Sequence, residues 1–216
     1  MNTDVQRFPA EGYVVIRSLL NADEIEQIDH ELESSPSDYA SDHRFLDREW
    51  CRQISHVIRL RLLKRRLLYL ATQPVLCTYF NKDTETNWGV NLHRDLYVPL
   101  YEPIDHPRWG NWSEKQRIPH VQAPRDLLSS MLAVRVSIDD CGAGDGALCV
   151  VPGSHATADV DSARVECIVA RGHAVVMSPL LLHTSMKSES GLPRRVLHFV
   201  YGPSGLPDGA RWYYPP

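Results

Sequence analysis

Residues Met131-Leu-Ala-Val-Arg-Val-Ser-Ile-Asp-Asp-Cys-Gly-Ala-Gly-Asp-Gly-Ala-Leu-Cys-Val-Val151 read as strand, turn, strand. Leu132–Asp139 and Ala147–Val151 are short apolar runs rich in valine, the pattern of buried β-structure. Between them lies Cys141-Gly-Ala-Gly-Asp-Gly146. Its G-x-G-x-G spacing is wrong for a dinucleotide loop, so it predicts a tight hairpin connection. Alternation in the first run sets Met131, Ala133, Arg135 and Ser137 on one face. Leu132, Val134, Val136 and Ile138 take the other face and are expected to pack under helices.

Working outward, the texture stays β on both sides. Pro152-Gly-Ser154 and Ser190-Gly-Leu-Pro193 punctuate further strands at Ala174–Met177, with a reach toward Leu182, and at Arg195–Tyr201. Upstream, Val75–Phe80 and Asn87–Asp95 read as strands. Short strands with such punctuation point to a sandwich or barrel. Residues 97–127 are rich in proline and charge and read as a long irregular insertion, a lid in functional terms. The first 73 residues differ. A strand at Gly12–Arg17 precedes a helix at Ala22–Glu33, with Asn21 as N-cap, Glu24 as its capping-box partner and Pro36 closing it. A second helix is predicted over Arg48–Ala71, from Ile54, Val57, Ile58, Leu62 and Leu68, with Pro74 as its stop. Its basic cluster of Arg59, Arg61, Lys64, Arg65 and Arg66 reads as a solvated face.

The chain of 216 residues is long enough for one domain with a full core. The expected division is a helical part at 1–73, a β core at 74–201 containing the 97–127 insertion, and a tail at 202–216. With 23 basic and 27 acidic residues the net charge is -4, which argues against a dedicated nucleic-acid binder. The longest apolar run, Val175–Leu182, is broken by Ser178 and Pro179, so no membrane span is expected. The polar N-terminus lacks a signal-peptide core. The cysteines are Cys51, Cys77, Cys141, Cys149 and Cys167, odd in number and without a C-x-x-C pair. No disulfide framework is expected, and a reducing cytoplasm fits.

The chemistry lies in His93-Arg94-Asp95. On a strand, i and i+2 share a face, so both side chains would point into one interior. An isolated His-x-Asp carries little weight, but His183 closes the apolar run that starts at Ala174, and Arg194 follows eleven residues later. One histidine and one carboxylate from an early strand, plus a late histidine, make a 2-His-1-carboxylate set that suits non-haem Fe(II) and leaves positions open.

Taken in order, these segments resemble the phytanoyl-CoA dioxygenase-like family of Fe(II)/2-oxoglutarate oxygenases. The resemblance runs through Phe8-Pro-Ala-Glu-Gly-Tyr-Val-Val-Ile-Arg-Ser-Leu-Leu20 and Asp23-Glu-Ile25. It continues through His93-x-Asp95, Ile138-Asp-Asp140, Gly146–His155, Gly172–Ser185 and Pro193-Arg-Arg195. It implies a mainly β fold with flanking helices: a double-stranded β-helix, that is a jelly-roll or cupin-like barrel, with N-terminal helices packed on one sheet. It implies Fe(II) on His93, Asp95 and His183, with 2-oxoglutarate chelating the metal and its far carboxylate on Arg194. A guanidinium binds such a group bidentately. Ser185, two residues past His183, would add a hydrogen bond, and Lys82 would stand near the cosubstrate. Arg195 should point the other way. O2 would be the oxidant, with succinate and CO2 released. Halogenating relatives carry a small residue where Asp95 stands, so hydroxylation is expected. The chain departs from many members at Thr184 and Ser188, where they carry Gly and Asn.

For the substrate pocket, Arg135 falls on the inner face and needs a partner: a substrate carboxylate or phosphate, the cosubstrate, or an internal acid. Asn87, Gly89 and Asn91 share the predicted face of His93. The insertion offers Tyr97, Trp109 and Trp112, beside Arg117, His120 and Arg125. His198 shares parity with Arg194. A polar interior containing arginine suits a small polar or anionic substrate, such as an amino acid or natural-product intermediate. The alternatives are a non-catalytic protein or a cupin-like metal-binding protein on the same scaffold.

Overall fold

The computed structural model describes residues 3–157 and 163–215. Helix α1 (Thr3–Glu11), strand β1 (Tyr13–Ile16), helix α2 (Ala22–Ser34), the short β2 (Ser41–Asp42) and helix α3 (Glu49–Lys64) form the N-terminal part. Then come β3 (Thr72–Lys82), β4 (Val90–His93), β5 (Tyr97–Pro99), β6 (Trp112–Lys115), β7 (Ile118–Gln122), helix α4 (Arg125–Ser129) and β8 (Leu132–Ser137). The chain finishes with β9 (Leu148–Val150), β10 (Val165–Cys167), β11 (Ala174–Met177), β12 (His183–Ser185) and β13 (Arg194–Pro203).

Two antiparallel sheets face each other. The larger has the order β1-β11-β8-β13-β3-β2 and the smaller β10-β9-β12-β4. From β8 onward the chain winds between them, with β8, β11 and β13 in the larger sheet and β9, β10 and β12 in the smaller, the winding of a double-stranded β-helix. The sequence from 131 to 151 is therefore not a hairpin. β8 pairs with β11 and β13, whereas β9 pairs with β10 and β12, so the glycine-rich segment carries the chain from one sheet to the other. Gly146 serves that crossing: its φ is +69°, and a Cβ there would stand 2.4 Å from the Met186 carbonyl oxygen.

Alternation decides what each face of the larger sheet meets. Leu132, Val134 and Val136 of β8, with Leu197, Phe199 and Tyr201 of β13, pack outward against Ile25, Ile28 and Leu32 of α2 and Ile54, Ile58 and Leu62 of α3. Facing inward, Ala133, Val175 and Met177 join Leu148, Val150 and Leu181 in a dry plug between the sheets. The rest of the interior is polar and open.

The capping box of α2 forms as the sequence predicts: the Asn21 side chain accepts from the Glu24 N–H and the Glu24 carboxylate accepts from the Asn21 N–H, both at 2.9 Å. Helix α3 stops well before Pro74. Arg66 adopts φ +60°, which ends the helix, and residues 67–71 form a connection. Pro74 lies inside β3, opposite Tyr201, where the β13 register shifts and no amide hydrogen is required. The expected solvated face is engaged at Arg61 and Arg59, among others. The Arg61 guanidinium donates to the Leu19 carbonyl at 2.6 Å and pairs with Glu24 at 2.7 Å, and Arg59 donates to the Thr72 carbonyl at 2.6 Å. Nor is 97–127 irregular. β5, β7 and β6 form a third antiparallel sheet, and its register was hidden because prolines and charges interrupt the alternation.

Replacing Asn21 by Ala removes one hydrogen bond of the box and should lower stability by about 1 kcal/mol. A urea titration checks this, with the midpoint falling and the slope unchanged.

Candidate metal centre

β4 and β12 are neighbours in the smaller sheet, and His183 is paired directly with His93. Their imidazole centroids are 4.2 Å apart. His93 Nδ1 bonds the Asn91 carbonyl at 2.8 Å, and His183 Nδ1 bonds the Leu181 carbonyl at 2.9 Å. In each ring the carbonyl holds the proton on Nδ1 and leaves the Nε2 lone pair free. Asp95 completes the group: its carboxylate is 3.5 Å from His93 Nε2 and 3.7 Å from His183 Nε2. The three candidate ligand atoms lie within 4.8 Å of one another. Asp95 Oδ2 is buried without a hydrogen-bond donor. Burial pushes the Asp95 carboxyl up, but the imidazoles of His183, His198 and His93 outweigh it and hold the group well below the usual carboxylate range. Burial pushes His183 down to about 4, so it is neutral, as a ligand must be. Two free imidazole lone pairs and one ionised carboxylate fit a divalent metal.

Two details of this placement differ from the strand reading. Asp95 lies beyond the end of β4, where its N–H donates to the Pro179 carbonyl at 2.9 Å. His183 does not end the run from Ala174. The chain leaves the larger sheet after Met177 and enters the smaller one at His183. Arg94, between the candidate ligands His93 and Asp95, fastens this crossing by donating to the carbonyls of Leu180 at 2.8 Å and Ser154 at 3.0 Å.

Beside the triad lies a cavity of about 320 Å³. Arg194, at the start of β13, is buried in its wall, with Nε and Nη1 lacking any partner. Lys82 stands opposite it in register. The Lys82 ammonium donates to Ser185 Oγ at 3.3 Å and to the Met186 carbonyl at 3.1 Å. Burial, then Arg194 and Arg135, push it down to about 8. Arg135 also lines the cavity, its guanidinium 5.3 Å from the Phe80 ring centre, and burial pushes it down to about 10. Three cations converge here without a carboxylate among them, which suits a bound dianion. Arg195 points outward and pairs with Asp139 at 2.6 Å and Asp29 at 3.0 Å.

Other expected pocket residues sort differently. Tyr97 lines the cavity, and His198 faces it with Nε2 3.5 Å from Asp95. Asn87 and Asn91 do not line it. A bulge sets β4 residues 90–93 against 185–183, which turns both Val90 and His93 inward and Asn91 out to solvent. Asn87 instead bonds the backbone of Ser188 in both directions, at 2.7 and 2.9 Å. Trp109 is buried in a separate apolar cluster with Val98 and Val121, its indole N–H on Asp208 at 3.0 Å. Trp112 is exposed and away from the cavity. Sequence reasoning missed His43, Thr78, Lys115 and Trp88, which line the cavity. Thr78 and Lys115 were signalled only by parity along strands whose register was not legible, and His43 and Trp88 lie in connections outside the strands, where there is no parity to read.

A model of the phytanoyl-CoA dioxygenase family matches residues 8–196. Among solved structures, the non-haem alpha-ketoglutarate-dependent epimerase SnoN from nogalamycin biosynthesis superposes with a TM-score of 0.70. It shares 17% identity over 94% of this chain and 80% of that one. HygX from Streptomyces hygroscopicus, with nickel and 2-oxoglutarate bound, gives 0.65 at 15% identity, over 94% and 86%. The non-haem monooxygenase ThoJ in its nickel complex gives 0.69 at 16%, over 97% and 79%. No curated protein matches the chain. At such identities the solved structures share its fold.

The cavity wall makes one pH-dependent prediction. Burial pushes His120 down to about 4, below its value in the unfolded chain, so the unfolded state takes up its proton first. The stability this group contributes is complete above about pH 6.5 and is lost as pH falls toward 4; at pH 5 the loss is about 2 kcal/mol. Urea midpoints at pH 7.5 and 5.0 should differ less in His120→Gln protein than in the unaltered chain.

Proposed function

Since the chain belongs to the phytanoyl-CoA dioxygenase family, we propose that it hydroxylates a small polar or anionic metabolite, with 2-oxoglutarate and O2 as cosubstrates. The protein is an enzyme of the non-haem Fe(II)/2-oxoglutarate type. The observation that carries the reading is the conjunction of two donor sets in one cavity: the His93–Asp95–His183 triad and the Nε and Nη1 groups of Arg194, which have no partner within the protein.

In this reading His93 Nε2, Asp95 and His183 Nε2 hold Fe(II), and Arg194 receives the far carboxylate of 2-oxoglutarate. Bound together, iron and 2-oxoglutarate use O2 to oxidise a substrate C–H bond, with release of succinate and CO2. The chain's own residues do the positioning. The Asn91 and Leu181 carbonyls fix the imidazole tautomers. Lys82 and Ser185 flank the cosubstrate arginine, and Arg135 adds positive charge between it and Asp95. Trp88 covers Lys82, its ring centre 5.0 Å from the ammonium. Asp95 fills the carboxylate position of the triad, which favours hydroxylation over halogenation. A small-molecule substrate is in keeping with structures of SnoN with nogalamycin RO and of HygX with hygromycin B.

Anaerobic addition of Fe(II) and then 2-oxoglutarate should produce a visible metal-to-ligand charge-transfer band. Asp95→Ala and His183→Ala proteins should lack it. Arg194→Ala protein should retain Fe(II) by equilibrium dialysis and bind 2-oxoglutarate roughly 100-fold more weakly, as expected for a lost bidentate charge-assisted pair. Folded, iron-loaded protein that gives no band would sink the proposal.

A further inference from the structure

The cavity has a second polar wall that neither the metal triad nor the cosubstrate arginine uses. Gln116 and Arg117, at φ +50° and +66°, form the two-residue turn between β6 and β7. The Gln116 side chain accepts from the His43 N–H at 2.7 Å and donates to the Ser41 carbonyl at 3.1 Å. This clamp ties the hairpin to the segment after β2 and brings His43, Lys115 and His120 together on the cavity wall. The two imidazoles meet edge to face at 5.7 Å. His43 Nδ1 bonds Thr78 Oγ1 at 3.0 Å, and Thr78 is paired with His198. The wall therefore lies at the level of His198, roughly 13 Å along β13 from Arg194. It stands at the end of the cavity away from the cosubstrate arginine.

Its chemistry is specific. His120 Nδ1 bonds the Ile118 carbonyl at 3.0 Å, so Nδ1 carries the hydrogen and Nε2 is an acceptor. That Nε2 is buried and has no partner. Burial keeps both His120 and His43 neutral at neutral pH. An unpaired buried acceptor is unfavourable until something donates to it. Lys115 adds an ammonium beside it. Asp95 is the sole carboxylate among the cavity-lining residues described, against Lys82, Lys115, Arg135 and Arg194. Arg94, also at the wall, is turned away onto backbone carbonyls. A divalent metal and dianionic 2-oxoglutarate cancel, so four cations against one carboxylate leave the loaded cavity positive. At about 320 Å³, shared with the cosubstrate, it admits only a small molecule.

We propose that His43, Lys115 and His120 form the substrate anchor, and that the substrate is a small carboxylate bearing a nearby hydroxyl or amino group. The carboxylate lies on the Lys115 ammonium, the hydroxyl or amine donates to His120 Nε2, and His43 closes the side. This deepens the reading proposed above and rests on it.

The test is anaerobic calorimetric titration of the Fe(II)- and 2-oxoglutarate-loaded protein. The probes are a panel of hydroxy- and amino-carboxylates, their amides, and an aminoglycoside as a polycation. At least one carboxylate should bind tenfold or more tightly than its own amide. Lys115→Met should weaken that carboxylate roughly tenfold, with Lys115→Arg restoring it and 2-oxoglutarate affinity unchanged. His120→Phe should weaken hydroxy- and amino-carboxylates but not the unsubstituted acid. The proposal is overturned if no carboxylate binds, if amides or the aminoglycoside bind as well, or if Lys115→Met leaves the preference intact. Failure of 2-oxoglutarate to bind would overturn the cosubstrate reading instead. The carboxylate-over-amide preference, measured on metal-loaded protein alone, would still decide the anchor.

Discussion

The pairing of His183 with His93 across β4 and β12 is the constraint on which the site depends. Side chains alternate along a strand, so a shift of one residue in either would turn a candidate ligand out of the barrel. The register is held from several directions. β12 is also paired with β9, His183 opposite Val150. The Asp95 N–H is bonded to Pro179, and the Arg94 guanidinium grips the carbonyls of Leu180 and Ser154. Arg94 thus serves the candidate metal site from outside its ligand set: it fixes where the second histidine enters the smaller sheet.

The interior is divided by chemistry. At one end Ala133, Leu148, Val150, Val175 and Met177 fill the space between the sheets. At the other, Lys82, Arg135 and Arg194 are held near one another without an acid between them. Such an arrangement opposes folding, since each charge loses water without gaining an opposite charge. The outer face of the same sheet supplies the compensation, where α2 and α3 bury a continuous apolar cluster against β8 and β13. The alternation that gives Arg135 an inward direction gives Val134 and Val136 an outward one. Folding energy and binding chemistry therefore come from opposite faces of one strand.

How much was legible follows from how local each signal is. The capping box of Asn21 and Glu24 spans four residues and formed as read. The two faces of β8 depend only on alternation and were also legible. Helix α3 was read too long because its apolar period continues to Leu68, while the stop is a backbone reversal at Arg66 that carries no glycine signal. The third sheet was missed because Pro99, Pro119 and charged residues disguise its strands, which are stabilised by one another rather than by pattern. Asn91 was misplaced by one bulge, and Trp109 because an aromatic residue in an insertion packs as readily on a neighbouring cluster as over a pocket.

The sequence by itself determined the residue types of the site, the family to which their order points and the apolar faces that build the barrel. These are properties of composition, spacing and local period. Tertiary structure alone decided which residues share the cavity. His43, Lys115 and His120 come from a segment and a hairpin more than 70 positions apart, joined by the Gln116 clamp. Such a meeting depends on strand order and register. These are set by how sheets close on each other, and nothing in a local window of sequence records that.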